Sequence, residues 1–276
     1  TDWAATSTNT AGELRIGTGS EIIAAVQTKQ QVIIFTDRSV SSMQFIGAPF
    51  TFGLSEVSTN TSIASQNAAV AVGDAVYWMG DEVFYKYDGN VRTIPCFVEE
   101  YIFDNMDLSQ KAKITAANNS KFNEVWWFYP SVGSSTNDSY VVYNYVENVW
   151  FYGTMARTAW DEGGVSGYAI AASTDGYVYS HESGIADGST SPPSAINSYV
   201  ESSAIDIGDG DQFMFVSRII PDLTFRNSTL NPTATLSVSA RNYPGANFDQ
   251  TNSGTTARTS TVPVEQFTEQ LFFRLR

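Results

Sequence analysis

Few residues in this chain offer chemistry. The densest carboxylate run is Asp206-Ile207-Gly208-Asp209-Gly210-Asp211. Hard cations want several oxygens from a tight, glycine-permitted loop, so Asp206, Asp209 and Asp211 are the candidate metal ligands. The glycine and distal glutamate of an EF-hand fall in the wrong places, and a plain hairpin turn is the preferred reading. His181 is the only histidine, so any imidazole mechanism must pass through it. It follows Tyr179 in a polar stretch with no neighbouring nucleophile, which reads as a solvated turn residue. Cys96 is the only cysteine, which excludes an internal disulfide and a cysteine-rich metal knuckle. Its setting, Ile94-Pro95-Cys96-Phe97-Val98, reads as buried strand with an inert thiol.

Glycoside hydrolysis needs two carboxyl groups flanking the scissile bond, or an arginine cluster for anionic sugars. Glu99-Glu100 and Asp161-Glu162 are the available carboxylates, and nothing in the sequence joins them. Ser173-Thr174-Asp175-Gly176-Tyr177 is faintly similar to the aspartate-box turn of sialidases, but it occurs once, lacks the Thr-Trp ending and reads as a β-turn. Trp126-Trp127, Trp150 with Phe151-Tyr152, and Trp160 offer aromatic faces for sugar stacking. Adjacent residues on a strand point to opposite sides, so one of each pair belongs to the core and the other to an interface. No phosphate-binding glycine loop, GxSxG elbow or HExxH is present. Neither catalytic residues nor a cofactor is expected, and the chain reads as a non-enzyme.

The elements that must position these residues are β-strands. Gln31–Thr36, Ala75–Met79, Glu124–Phe128 and Tyr168–Ala172 are each followed, after a polar turn, by a second strand: Val40–Phe45, Val83–Asp88, Tyr140–Tyr145 and Tyr177–Tyr179. A period of about 45 residues built from short strands matches a propeller blade. Thr36-Asp37-Arg38, Gly73-Asp74, Gly80-Asp81, Asp88-Gly89-Asn90 and Asp175-Gly176 place tight reversals between strands. Asp104–Lys113 is the best helix candidate, with Asp104 or Asn105 as N-cap and Met106, Leu108 and Ala112 as apolar contacts. Two prolines amid Ser and Gly make 185–197 a linker. Longer strands follow at Tyr199–Ile207, Gln212–Phe225, Ala234–Arg241 and Glu265–Arg276. The expected organisation is a propeller-like meander domain over 1–184, the linker, and an antiparallel sandwich or closing layer over 198–276. The fold class is mainly β. The opening Thr1-Asp2-Trp3 and the apolar ending Phe272-Phe273-Arg274-Leu275-Arg276 read as a window of a longer polypeptide.

Composition narrows the function classes. With 42% hydrophobic residues in 276, the chain can bury a substantial core. Only 16% of residues are charged, and the formal net charge is −14. Without a Lys/Arg cluster there is nothing to displace counterions from a phosphate backbone, so tight nucleic-acid binding is disfavoured. No apolar run reaches the length of a membrane span, and no basic-then-apolar leader opens the sequence.

From Glu21 to Thr36 and onward the sequence resembles virion proteins of tailed phages. Ser42–Gly47, Val76–Gly80, Phe84–Gly89 and Arg218–Asp222 carry the likeness, which runs from about Arg15 to about Ala240 as a shared order of strands, small-polar runs and Tyr-Trp strands. The nearest family is the tail nozzle proteins of short-tailed phages, the tail tubular protein B or virion stabilisation type. The resemblance implies a homo-oligomeric ring, usually a hexamer, of propeller and sandwich layers in the virion tail, assembled in the host cytoplasm. Its partners would be the adaptor and the fibres or needle. Its function would be structural: a conduit through which genomic DNA passes without tight binding during ejection, and a gate that retains the packaged genome. A glycan-binding tail-tip receptor protein is the principal alternative, with a propeller glycosidase behind it.

Overall fold

The computed structural model describes residues 11–164 and 167–184, together with 4, 6, 9, 186–187, 192–196, 199, 233–238 and 258–263. The chain divides into two compact units, Thr1–Ile196 and Asn197–Arg276.

The first unit is mainly β and is built from sequential antiparallel meanders. Its first sheet runs in the order β1 (Ile22–Gln27), β2 (Gln31–Thr36), β3 (Ser39–Gly47) and β4 (Thr51–Thr59). The second is β5 (Ala69–Val72), β6 (Ala75–Met79), β7 (Phe84–Tyr87) and β8 (Val91–Ile94), and the third is β9 (Thr115–Asn119), β10 (Glu124–Tyr129), β11 (Ser139–Asn144) and β12 (Val149–Thr154). A smaller fourth sheet holds β13 (Ala159–Asp161), β14 (Ile170–Ala172) and β15 (Val178–Ser180). Each of the four expected strand pairs is present, as β2 with β3, β6 with β7, β10 with β11 and β14 with β15. The first strands lie side by side, β1 beside β5, β5 beside β9 and β9 beside β13. Ala116 donates its amide to the Asn67 carbonyl at 2.7 Å, within the parallel bridge Asn67–Thr115 that joins the second and third sheets. Among the described residues these sheets stay separate and form no closed barrel or closed propeller.

Turn chemistry sets the reversals. The Thr36 hydroxyl accepts the Ser39 amide at 2.8 Å and so closes the β2–β3 turn at Asp37-Arg38. Gly73 between β5 and β6 and Gly89 between β7 and β8 have φ of 64° and 104°, a left-handed backbone that a side chain disfavours.

The core follows from strands buried on both sides. In β10, Val125, Trp127 and Tyr129 join a large cluster with Phe35, Trp78, Phe84, Ile102 and Val141, while Trp126 and Phe128 join a smaller one with Ala117 and Val142. Alternation along one strand thus supplies two cores. Indole N–H groups are satisfied inside: Trp127 Nε1 donates to the Ala68 carbonyl at 3.0 Å and Trp78 Nε1 to the Ser62 carbonyl at 3.2 Å.

Three local expectations need correction. The helix over Asp104–Lys113 is instead α1 (Glu99–Asp104) followed by a 3-10 helix, Leu108–Lys113. Asn105 and Asp107 pair with the backbone at 130–132, through Val132 N to Asn105 O at 2.8 Å and Asp107 N to Pro130 O at 3.0 Å, which diverts their groups from a continuous helix. The N-cap is Asp107, whose side chain accepts from Ser109 N. The stretch around Cys96 is no buried strand either: β8 stops at Ile94, and Phe97 in the following turn is 95% exposed. Within 185–197, Ala186-Asp187 (β16) pairs with Ser194-Ala195 (β17), so the linker carries a short ladder despite its prolines.

In the second unit, β18 (Thr233–Val238) pairs with β19 (Arg258–Pro263). β18 begins within a residue of the expected Ala234 strand and β19 was not anticipated, while Tyr199–Ile207, Gln212–Phe225 and Glu265–Arg276 lie largely or wholly outside the described residues.

Candidate functional site

The richest constellation of polar and aromatic groups lies where the fourth sheet covers the third. Register places Trp160, Ala171 and Tyr179 side by side on one face of β13–β15. Trp160 stacks on Trp126 with ring centroids 5.6 Å apart and packs near Phe128 at 5.9 Å. Its Nε1 donates to the Asn118 carbonyl at 3.0 Å. Trp126 is therefore only 8% exposed, and the aromatic expected to await a neighbouring protein is covered by the chain's own next sheet. Its Nε1 donates to Glu124 Oε2 at 2.9 Å. Burial raises the Glu124 carboxyl above its ordinary range, and the nearby Glu182 charge adds to the effect.

His181 belongs to this junction and is half-buried, which corrects the solvated reading. Its ring lies 4.7 Å from Trp160, its amide donates to the Ala169 carbonyl, and its Nε2 accepts from Arg157 Nε at 2.8 Å. Burial, reinforced by the Arg157 charge, lowers its pKa to about 4. At neutral pH the ring is uncharged with its proton on Nδ1, and the Nε2 lone pair is already engaged. It is thus poorly placed to act as a general base. Arg157 also lies over the Tyr179 ring at 4.5 Å, and the Tyr179 hydroxyl donates to Asp175 at 2.6 Å.

Asp175 sits in the turn Ser173–Gly176, closed by Gly176 N to Ser173 O at 3.2 Å, so the aspartate-box-like segment folds as a β-turn. The two carboxylate pairs occupy different surroundings. Glu99 and Glu100 share a cleft of about 350 Å³ with Asp81, Glu82, Asp104, Phe103 and Leu108. Burial raises the Glu99 carboxyl and the Glu82 charge adds to it, while Asp81 is paired with Lys111 at 2.9 Å. Neither Asp161 nor Glu162 lines that cleft. Asp161 accepts the Gly163 amide at 2.7 Å, and Glu162 accepts from Ser120 Oγ at 3.4 Å. No group of three or more His, Cys, Asp or Glu among the described residues is arranged to hold a metal ion. Asp206, Asp209 and Asp211 lie outside the described residues.

Trp150 packs against Phe84 at 4.6 Å and donates Nε1 to the Pro95 carbonyl, so it belongs to the main core. Tyr152 remains exposed, with its ring 4.5 Å from that of Tyr101 on α1. Burial pushes the Cys96 thiol up to about 11. Arg157 and Glu124 were missed at the sequence level because neither sits in a motif; Glu124 reaches Trp126 two positions along β10, and the pairing of β13–β15 brings Arg157 to His181.

No protein-family model matches the chain, and neither does any curated protein. Among solved structures, a chain in an S. cerevisiae complex of Dbp5 with Nup159, Gle1, IP6 and ADP matches with a TM-score of 0.26 and 9% identity, over 59% of this chain and 60% of that one. A likeness of that size carries no argument about fold or function.

Proposed function

We propose that the chain is a structural subunit of a phage tail nozzle ring, acting by assembly to form the DNA exit conduit and retain the packaged genome, and that its sheets are blades of a propeller-like arc. The observation that carries the assembly reading is the pair of apolar sheet faces at the two ends of the series. On the first sheet, Val32, Met43 and Leu54 align across β2, β3 and β4 on the face opposite the core residues Ile33 and Phe35. On the fourth, Ile170 and Val178 are exposed on the face opposite Trp160. Two different faces on one molecule favour head-to-tail contacts, which close into rings when the rotation allows. The aromatic order of the strands supports the nozzle family in particular. Sedimentation and electron images of the recombinant chain test this: ring-sized particles that dissociate in Met43→Asp or Val178→Asp are expected, and a strict monomer at high concentration overturns it.

The exposed Tyr101–Tyr152 pair favours a second reading, a glycan-binding tail-tip protein, because paired rings at a surface suit sugar stacking. Saturable binding to a bacterial surface polysaccharide that is lost in Tyr152→Ala would establish it in place of the nozzle.

A further inference from the structure

The β3–β4 hairpin outruns its own sheet. The last residue of β3 paired to β2 is Gln44, opposite Gln31, whereas β3 and β4 continue together through Phe45–Phe52 and Gly47–Thr51. The projecting tip is apolar all round. Phe45 and Phe52 meet edge to face at 5.9 Å on one side. Ile46 lies on the other, where its Cγ2 stands 3.2 Å from the place a Cβ on Gly53 would take. Phe50 occupies the turn. Exposure is 70% for Phe45, 57% for Ile46, 76% for Phe50 and 45% for Phe52.

Such a tip is costly to keep in water, and single exposed hydrophobics do not explain a cluster of four. A neighbouring sheet would cover one side of the hairpin; a fluid apolar medium covers every side. Charge points the same way. From Ser39 to Ser55 there is no Asp, Glu, Lys or Arg, although the chain as a whole carries −14. The adjacent β1–β2 turn at this end of the sheet presents one ionic side chain, the exposed Lys29. A single cation beside an uncharged aromatic tip complements the phosphate and acyl layers of a bilayer surface.

The geometry points to a membrane-docking tip: Phe45, Ile46, Phe50 and Phe52 enter the boundary between lipid headgroups and acyl chains, with Lys29 at the level of the phosphates. The three residues of β3 beyond Gln44 reach roughly 10 Å, enough for the 5–10 Å depth of interfacial insertion and far short of a span. This goes beyond the assembly reading and does not rest on it.

Flotation of the 276-residue chain with phosphatidylcholine vesicles tests the idea. The wild type is expected to rise with the lipid. Phe45→Asp and Phe50→Asp, at exposed positions, should each lower the bound fraction about ten-fold or more with an unchanged thermal melt, while Phe50→Leu keeps binding. Failure of the wild type to float, or undiminished flotation of both aspartate variants, overturns the proposal. So does loss of a lipid-free oligomer in Phe50→Asp, which would assign the tip to a protein interface.

Discussion

Arg157 donates its Nε–H to His181 Nε2 at 2.8 Å, and this bond ties the segment before β13 to the segment after β15. It closes the base of the fourth sheet while Trp160 holds its face. The bond requires a neutral imidazole, because a protonated ring has no lone pair to offer.

Acid should therefore loosen this sheet. The folded-state pKa of His181 is depressed to about 4, so the unfolded chain takes up a proton on this ring before the folded one does. The stabilising contribution is complete at neutral pH, is lost as pH falls from about 6.5 to about 4, and changes little below that. Melting curves across this window should show a steeper decline in the wild type than in His181→Gln. Parallel slopes would remove His181 from the account.

Trp127→Ala should destabilise the fold by about 3–5 kcal/mol, and Trp78→Ala by a similar amount. Both indoles are fully buried, and each truncation removes one hydrogen bond, to the Ser62 carbonyl for Trp78 and for Trp127 to the Ala68 carbonyl, which keeps the Met79 amide at 3.1 Å. Denaturant unfolding at 25 °C measures the loss; a change below about 1 kcal/mol in both would contradict the core assignment.

Trp160→Ala should act locally. Removing the ring uncovers Trp126 and leaves β13–β15 with Ala171 and Tyr179 as its remaining inward residues. Amide exchange should accelerate in β13–β15 more than in β5–β8, and the indole emission should shift to the red. Uniform acceleration across all four sheets would show that the fourth sheet is not a separate layer of stability.

Cys96 should react slowly with thiol reagents. With its pKa pushed up to about 11, it carries roughly a hundred-fold less thiolate at pH 8 than a free cysteine, and the rate should climb about ten-fold per pH unit. A rate equal to that of glutathione at pH 8 would show that the thiol is solvated.

What the residues alone made legible was the middle of each sheet. Strands β2, β6, β10 and β14 are flanked on both sides by neighbours, so their sequences are continuous apolar and aromatic runs, and the turn residues after them are equally plain. The first strands β1, β5, β9 and β13 were harder to read, since Ala69-Val70-Ala71-Val72 or Thr115-Ala116-Ala117-Asn118-Asn119 is short and mixed. The class of fold, mainly β in antiparallel meanders, needed only the central runs. The helix near 104–113 went astray because hydrogen bonds to 130–132, distant in sequence, compete for the backbone of Asn105 and Asp107.

Faces were legible in alternation, but their fate was not. Trp126 and Trp127 had to point to opposite sides, and they do; that both are buried depends on β13–β15 lying over Trp126, a contact between residues more than thirty positions apart. His181 shows the same limit more sharply. Its neighbours in sequence are polar, which suggests water, yet Trp160, Arg157 and Ala169 surround it and take its charge away. Local sequence fixes what a strand can bury, because the side-chain period is a property of the backbone. Which sheet arrives to bury it, and so which side chains become neutral, stacked or exposed, follows from long-range packing that is specified by the whole chain at once.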